Sequence, residues 1–476
     1  MYILRCSARA AQTLQKYKSF PVFESFSAVW QWRNLRVPLC PAELCRPVGN
    51  MTLRDFILEH ADDDVAGLLL SRGKWPGIDI DKAATIIECR RKIRAKLPEW
   101  YAEPEIIYPD RICAEQSSSS ATAEYKALVA KDICSENPSF RMADLTGGLG
   151  ADSLAFSRVA SAVMYNEMNP DRAEAAGHNF GVLGSHNIEV SCFCVEPESA
   201  RSAPFWDRLR AFRPDLIYMD PARRSATGSK VFLLEDCSPD ILTLTKELFA
   251  VAPSLLVKLS PMADISMLVR RLLAAGAATR AVHVVSAAGE CKELLLHLVP
   301  AGPSEDVSYT LIVNENGHIK EFDSSSEENS VPQFFNDEEG LRSMSMLFEP
   351  GKALAKAGLF NAVCSSLGAG LVKAARSTHL YFSPDAPEGD SDMQFFGKVF
   401  DIVDVVPLNK QSIRAFSAKY PKAEVSARNI SMTSDELRKK LKAQSGGNVH
   451  IFGIGIDFGD RKSSNWLVAA VRRQTV

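Results

Sequence analysis

Short, almost wholly apolar runs separated by helix-length amphipathic intervals fill the middle of the chain. They lie at 141–144, 162–167, 188–193, 216–220, 254–260, 281–287 and 293–299, with helical spacing between several of them, as around Leu154 and Phe156 and over 171–181. Strands that stay apolar at nearly every position and alternate with helices predict a mainly parallel sheet covered on both faces. Such sheets bind ligands at the carboxyl ends of their strands. Asp144, Glu167 and Asp220 are expected there.

The flanking regions read differently. From Thr52 the pattern is helical, with Thr52 and Asp55 spaced as a reciprocal cap. A second helix is expected over 81–96, with Ala84, Ile87 and Ile93 inward and Arg90, Arg91, Lys92, Arg94 and Lys96 largely outward. Pro98, Pro104 and Pro109 predict an extended connector over 98–110. Beyond residue 300 come a hairpin over 307–322 turning at 314–317 and an acidic, polar linker over 323–339. A compact α+β region follows, helical over 353–367 and extended over 378–382. The last unit has strands at 402–406, 424–430, 449–456 and 466–471. Thr433 and Glu436 are spaced as a capping box that opens a helix to Lys442. The expected architecture is α/β: a Rossmann-like seven-stranded sheet over 111–305, an N-terminal helical region over 51–110, and small C-terminal α+β units over 306–399 and 400–476.

Composition narrows the class without naming it. Of 476 residues, 46% are hydrophobic and 24% charged, and the net charge is −3, so no global basic field announces a nucleic-acid partner. The 11 cysteines form no C-x-x-C pair and no metal-spaced cluster, which fits a reduced cytoplasmic protein without a metal. No apolar run has the length of a membrane span. In residues 1–50, seven basic side chains face two acidic ones, Glu24 and Glu43. That segment reads as an extension, or as sequence preceding a start at Met51, before it reads as an organellar transit segment.

Candidate chemistry centres on Asp144-Leu145-Thr146-Gly147-Gly148-Leu149-Gly150. Glycines belong where a backbone bends sharply and approaches a ligand. A dinucleotide fingerprint would space them G-x-G-x-x-G and place a pyrophosphate on the helix N-terminus. Here an acid precedes adjacent glycines; it would repel a pyrophosphate but suits the ammonium of a methionine moiety, and Glu167 is placed for ribose hydroxyls. This spacing disfavours an NAD-dependent oxidoreductase. The stretch 115–126, containing Gln116 and Ser118, caps a helix and could also close over the methionine end of such a cofactor. Asp220-Pro221-Ala222-Arg223 forms a rigid turn at a strand end, with Arg223 and Arg224 suited to phosphate or base contacts. A basic face of Arg438, Lys439, Lys440 and Lys442, near Arg428, is a candidate RNA surface.

Residues 141–167 together with 220–223 resemble class I SAM-dependent methyltransferases. His178-Asn179 followed by Leu183-Gly184 is similar to a helix end of RNA-modifying members, including cap-guanosine and small-RNA amine methyltransferases. More narrowly, residues 115–126, 220–224, Lys258-Leu259-Ser260-Pro261-Met262, Gly289 to Glu293, and Arg428-Asn429 with 437–441 resemble one bacterial group. Its proteins join a methyltransferase domain to a ferredoxin-like element and a C-terminal THUMP-like domain, and the likeness spans nearly everything from Met51 onward. The resemblance implies S-adenosyl-L-methionine at Asp144, Thr146, Gly148 and Glu167, with Glu196 beside the adenine. Gln116, Ser118, Gly147, Gly150, Asp152 and Met168 complete the candidate set. It further implies methyl transfer to a base of structured RNA, tRNA or rRNA, with Asp220 and the adjoining carbonyls orienting the acceptor. The loop departs from the Asp/Asn-Pro-Pro-Tyr/Phe pattern of base-amine enzymes at Ala222 and Arg223. Pyrimidine carbon chemistry would need a nucleophilic cysteine, and Cys237 and Cys291 are the nearest in sequence. A non-catalytic RNA-binding protein with a vestigial methyltransferase fold is the competing reading.

Overall fold

The computed structural model describes residues 51–197, 203–223, 234–303, 307–367, 370–385, 393–459 and 463–473. The basic segment 1–50 and the candidate Arg224 lie outside them. The described residues fall in two units that part after Phe56, with 51–56 in the first and the rest in the second. In the first, the Asp55 amide donates to Thr52 Oγ1 at 3.1 Å and the Thr52 amide to Asp55 Oδ2 at 3.3 Å, the reciprocal cap its spacing predicts.

In the second unit, the strands in chain order are β1 (Arg141–Asp144), β2 (Ala162–Asn166), β3 (Ile188–Ser191), β4 (Leu216–Met219), β5 (Ser254–Leu259), β6 (Ala277–Ala287), β7 (Glu290–Pro300), β8 (Thr310–Glu315) and β9 (His318–Asp323). They form one sheet in the order β9-β8-β6-β7-β5-β4-β1-β2-β3, with β7 antiparallel to both neighbours. Alternate residues serve opposite faces. Ala143, Ile217, Met219, Leu255 and Val257 enter one core, and Met142, Leu216, Tyr218 and Leu256 another. Burial on both sides explains the continuous apolar runs. The hairpin expected after the sheet is instead part of it: Thr310–Glu315 pairs in parallel with Ala281–Ser286, occupying what would otherwise be an open edge.

Two helix expectations change in detail. Helix Ile80–Ile93 carries Arg90 inward, not outward; its guanidinium donates to the carbonyls of Tyr101 at 2.8 Å and Glu103 at 3.3 Å and lies over the Tyr101 ring. The expected connector opens with a short helix, Pro98–Ala102, because proline at the first helical position sacrifices no bonded amide. The rest of it is held by Asn179, which is fully buried. Asn179 Oδ1 accepts from the Ile107 amide at 2.8 Å and its Nδ2 donates to the Ile107 carbonyl at 2.9 Å. The His178-Asn179 pair is thus a backbone clasp, with His178 Nε2 lying 3.0 Å from the Glu105 carbonyl.

A second sheet of eight strands follows. Its strands are β10 (Gln333–Phe334), β11 (Met346–Pro350), β12 (Val372–Ala375), β13 (Thr378–Ser383), β14 (Gly397–Pro407), β15 (Glu424–Arg428), β16 (Val449–Ile456) and β17 (Ser464–Arg472). Their order is β10-β12-β13-β11-β14-β17-β16-β15. The two C-terminal regions read from sequence therefore share one sheet, with β14 paired to β11 on one side and β17 on the other. The helix expected over 353–367 is two, Lys352–Ala357 and Ala362–Ser366, interrupted at left-handed Gly358 (φ 75°). Thr433 and Glu436 form the predicted capping box on helix Ser434–Leu441. Among the described residues no helix is long and apolar enough to cross a membrane.

The clasp is testable. Asn179→Ala strands the amide and carbonyl of Ile107 and should destabilise this unit by about 2–3 kcal/mol in urea unfolding, with an unchanged denaturant slope.

Candidate active site

Strand register brings the chemistry together. Asp144 ends β1 opposite Tyr218 of β4 and Tyr165 of β2. Met219 pairs with Val257, so the next residues outward on β4 and β5 are Asp220 and Lys258. Because β7 runs antiparallel, its beginning lies at the same edge as the ends of its neighbours. Leu259 pairs with Leu294, which puts Glu293 there too.

The glycine turn is built as its spacing suggests. A Cβ on Gly147 would lie 2.0 Å from the Tyr165 ring, and one on Gly150 (φ 98°) 2.7 Å from Phe180. A Cβ on Gly148 (φ 55°) would meet nothing within 4 Å, so the turn borders open space there. The Gly148 amide donates to Glu167 Oε2 at 3.0 Å, its carbonyl accepts from Tyr165 Oη at 2.6 Å, and Glu167 Oε1 accepts from the Asn169 amide at 2.9 Å. Glu167 is thereby oriented over the turn, and among the described residues each oxygen keeps a lone pair for a further donor.

Asp144 is buried beneath the turn. Its carboxylate accepts from Ser153 Oγ at 2.5 Å and from the Thr146 amide at 3.1 Å. Burial, together with repulsion from Asp152 and Asp220, pushes its pKa up to about 7 despite these bonds. Thr146 Oγ1 in turn accepts from the Asp220 amide at 2.6 Å, which ties the turn to the acceptor loop.

Asp220 forms an ion pair with Lys258 through Oδ2. Lys258 is held well above the usual lysine range by Asp220, Glu293 and Asp152, whose attraction outweighs its burial, and it stays cationic. Behind this pair sits a second one. Lys126, 0% exposed, donates to Ser118 Oγ at 3.0 Å and to the Glu293 carboxylate at 3.0 and 3.1 Å, and lies 3.2 Å from Asp152 Oδ1. Asp152 Oδ2 also accepts from Ser118 Oγ at 2.8 Å and Tyr218 Oη at 2.9 Å. These contacts and the attraction of Lys126 lower the Asp152 pKa against its burial. Half-buried Lys96, desolvated and further repelled by Lys258 and Lys292, falls to about 8.

Asp144, Thr146, Gly147, Gly148, Gly150, Asp152, Glu167 and Asp220 thus share one end of the sheet. Ser118 and Asp152 find their first partners in each other and in Lys126. Gln116 is exposed at the end of helix Arg111–Gln116, and Met168 is exposed beside Glu167. Exposed Glu196 follows β3, its carbonyl accepting from Trp206 Nε1 at 3.0 Å. Pro221 is buried, while Ala222 and Arg223 pair with Ser238 and Cys237 in a two-residue ladder. Cys237 is buried in the core, and burial pushes the Cys291 thiol up to about 11, away from nucleophilic chemistry. Of the basic candidates, Arg428 pairs with Glu349 at 2.8 Å and Arg438 with Asp435 at 3.2 Å, whereas Lys439 and Lys442 are exposed. Sequence reasoning gave no role to Lys126, Lys258 or Glu293. Two of them had a usable signal, a charge at the sheet edge that carries Asp220.

The fold and its C-terminal domain have known counterparts. Residues 397–470 match a family described as THUMP domain-like. The whole fold resembles the crystal structure of a candidate methyltransferase from Porphyromonas gingivalis W83, with a TM-score of 0.72 and 28% identity over 89% of this chain and 98% of that one. Lesser likenesses are to a candidate RNA methyltransferase from Pyrococcus horikoshii (TM-score 0.30, 12% identity, 43% and 98% covered) and a SAM-dependent methyltransferase from Aquifex aeolicus (0.29, 15%, 41% and 100%). No curated protein matches the chain. The chain combines a Rossmann-like methyltransferase fold with a C-terminal THUMP-like domain.

The raised Asp144 pKa has a sign. The native state holds a proton that the unfolded chain releases near pH 3.8, so the stability from the neutral acid is complete below about pH 4 and is lost as pH rises toward and through 7. Urea unfolding from pH 4 to 8 should show this decline in the native protein and a flatter profile in Asp144→Asn. Identical profiles would show that Asp144 titrates normally.

Proposed function

We propose that the protein is an S-adenosylmethionine-dependent methyltransferase acting on structured RNA. One observation carries the reading: a glycine turn bordering open space at Gly148, with Glu167 fixed over it and Asp144 buried beneath. The residues fit the cofactor. Glu167 would hold the ribose hydroxyls through its remaining lone pairs, and Asp144 would attract the methionine ammonium, directly or through water. When bound, the cofactor supplies an electrophilic methyl group on a sulfonium. The chain's contribution is alignment and exclusion of water, with Asp220 positioned by Thr146 and Lys258 to face the acceptor. The THUMP-like domain supports an RNA substrate, with exposed Lys439 and Lys442 as phosphate contacts, and the free cysteines support a cytoplasmic setting.

Calorimetry with S-adenosylmethionine tests the first step. Glu167→Ala should weaken binding about ten- to a hundred-fold, the effect of losing hydrogen bonds to a charged group. Asp220→Ala should bind the cofactor normally yet fail to restore a modified nucleoside, read by mass spectrometry of RNA from cells lacking the gene. Absence of cofactor binding by the intact protein would favour an RNA-binding protein without catalysis.

Asp144 adds a pH dependence. If it receives the ammonium, affinity for the cofactor should rise between pH 6 and 8 as the carboxyl ionises, and Asp144→Asn should abolish the rise.

A further inference from the structure

We infer that the acceptor atom is a hydroxyl oxygen, the ribose 2′-hydroxyl of RNA, held between Asp220 and Lys258. The inference rests on the methyl-transfer reading above and sharpens its substrate class.

The donors and acceptors at the strand edge decide between acceptor types. A base amine presents two N–H donors, so it needs two acceptors and has no use for a neighbouring cation. Asp220 Oδ2 already faces the Lys258 ammonium, a donor at the acceptor position that a base amine, with its lone pair delocalised into the ring, cannot use. The usual second proline and aromatic of an amine-binding loop are Ala222 and Arg223, which are drawn into a ladder with Ser238 and Cys237. A hydroxyl needs one acceptor for its proton and gains from one donor to its oxygen. Asp220 Oδ1 and Lys258 Nζ supply that pair. Among the described residues, Asp220 is the one hydrogen-bond partner of the Lys258 ammonium, which leaves two of its three N–H groups for a ligand. Lys126, by contrast, has its donors engaged by Ser118, Glu293 and Asp152. Its role is to balance the buried acids, while Glu293 and Asp152 help to hold Lys258 charged.

The step balances. The hydroxyl oxygen forms the new C–O bond, the S–C bond breaks with its electron pair remaining on sulfur, and the hydroxyl proton passes to Asp220 and then to water. Lys258 donates to the oxygen throughout and is not consumed.

The test incubates the full chain with methyl-tritiated S-adenosylmethionine and total RNA from cells lacking the gene, followed by alkaline hydrolysis and tandem mass spectrometry. The expected product is an alkali-resistant dinucleotide with the added methyl on the ribose fragment. Label on a base fragment would overturn the hydroxyl assignment and leave RNA methylation standing. Unlabelled RNA from a protein that binds the cofactor in calorimetry would overturn the RNA reading and this inference with it. Lys258→Met should lower the transfer rate at least about a hundred-fold while cofactor Kd stays within about threefold; undiminished transfer would remove Lys258 from the acceptor site.

Discussion

The buried charges at the carboxyl edge of the first sheet constrain everything around them. Lys126 and Glu293 are almost entirely out of water, and Asp152 nearly so. Separately, each would suffer a desolvation penalty of several kcal/mol; together, with Ser118 and Tyr218 satisfying further lone pairs, they are tolerated. The compensation needs elements that are remote in sequence. Lys126 lies on the helix before β1, Asp152 on the helix after it, and Glu293 near the start of β7, next to Leu294, where its pairing with β5 begins. Removing one partner leaves an uncompensated charge in the core, so the antiparallel insertion of β7 beside β5 is a condition for the cluster as well as a matter of topology.

That dependence explains how much of the molecule could be read from its sequence. The sheet was legible because doubly buried strands are apolar at consecutive positions, as in Leu216 to Met219. The glycine turn was legible because Gly147 and Gly150 leave no space for a Cβ. Lys126 was not, since a lysine in a helix normally belongs to a solvated face; its burial depends on partners that other elements bring to it, Asp152 and above all Glu293, 167 residues away. Arg90 misled for the same reason, being buried by carbonyls that its own helix does not carry. His178-Asn179 carried a resemblance to RNA-modifying enzymes, yet its local work is to hold the Ile107 backbone.

Boundaries were harder still. The hairpin at Thr310–Glu315 looks like the start of a new unit because composition changes after Pro300, but strand pairing obeys the open edge of β6 rather than composition. The continuity of the second sheet through Gly397–Pro407 has a similar cause. An edge strand at β14 would expose a row of unpaired amides, and β11 covers it. Glu349 on β11 also accepts the guanidinium of Arg428 on β15, so the THUMP-like region and the strands before it share charge pairs as well as backbone bonds.

This last pair bears on RNA contact. A guanidinium already bound to a carboxylate must lose that partner to take a phosphate, or share it, and either lowers the net gain. Arg428 and Arg438 are in that position. Lys439 and Lys442 extend into solvent without a carboxylate partner among the described residues, beside a capped helix whose Glu436 is turned to its own N-terminus by Thr433. Under the proposed RNA reading, phosphate contact on this surface would fall to the lysines, while Arg428 ties β15 to β11 through Glu349 and Arg438 braces its own helix through Asp435.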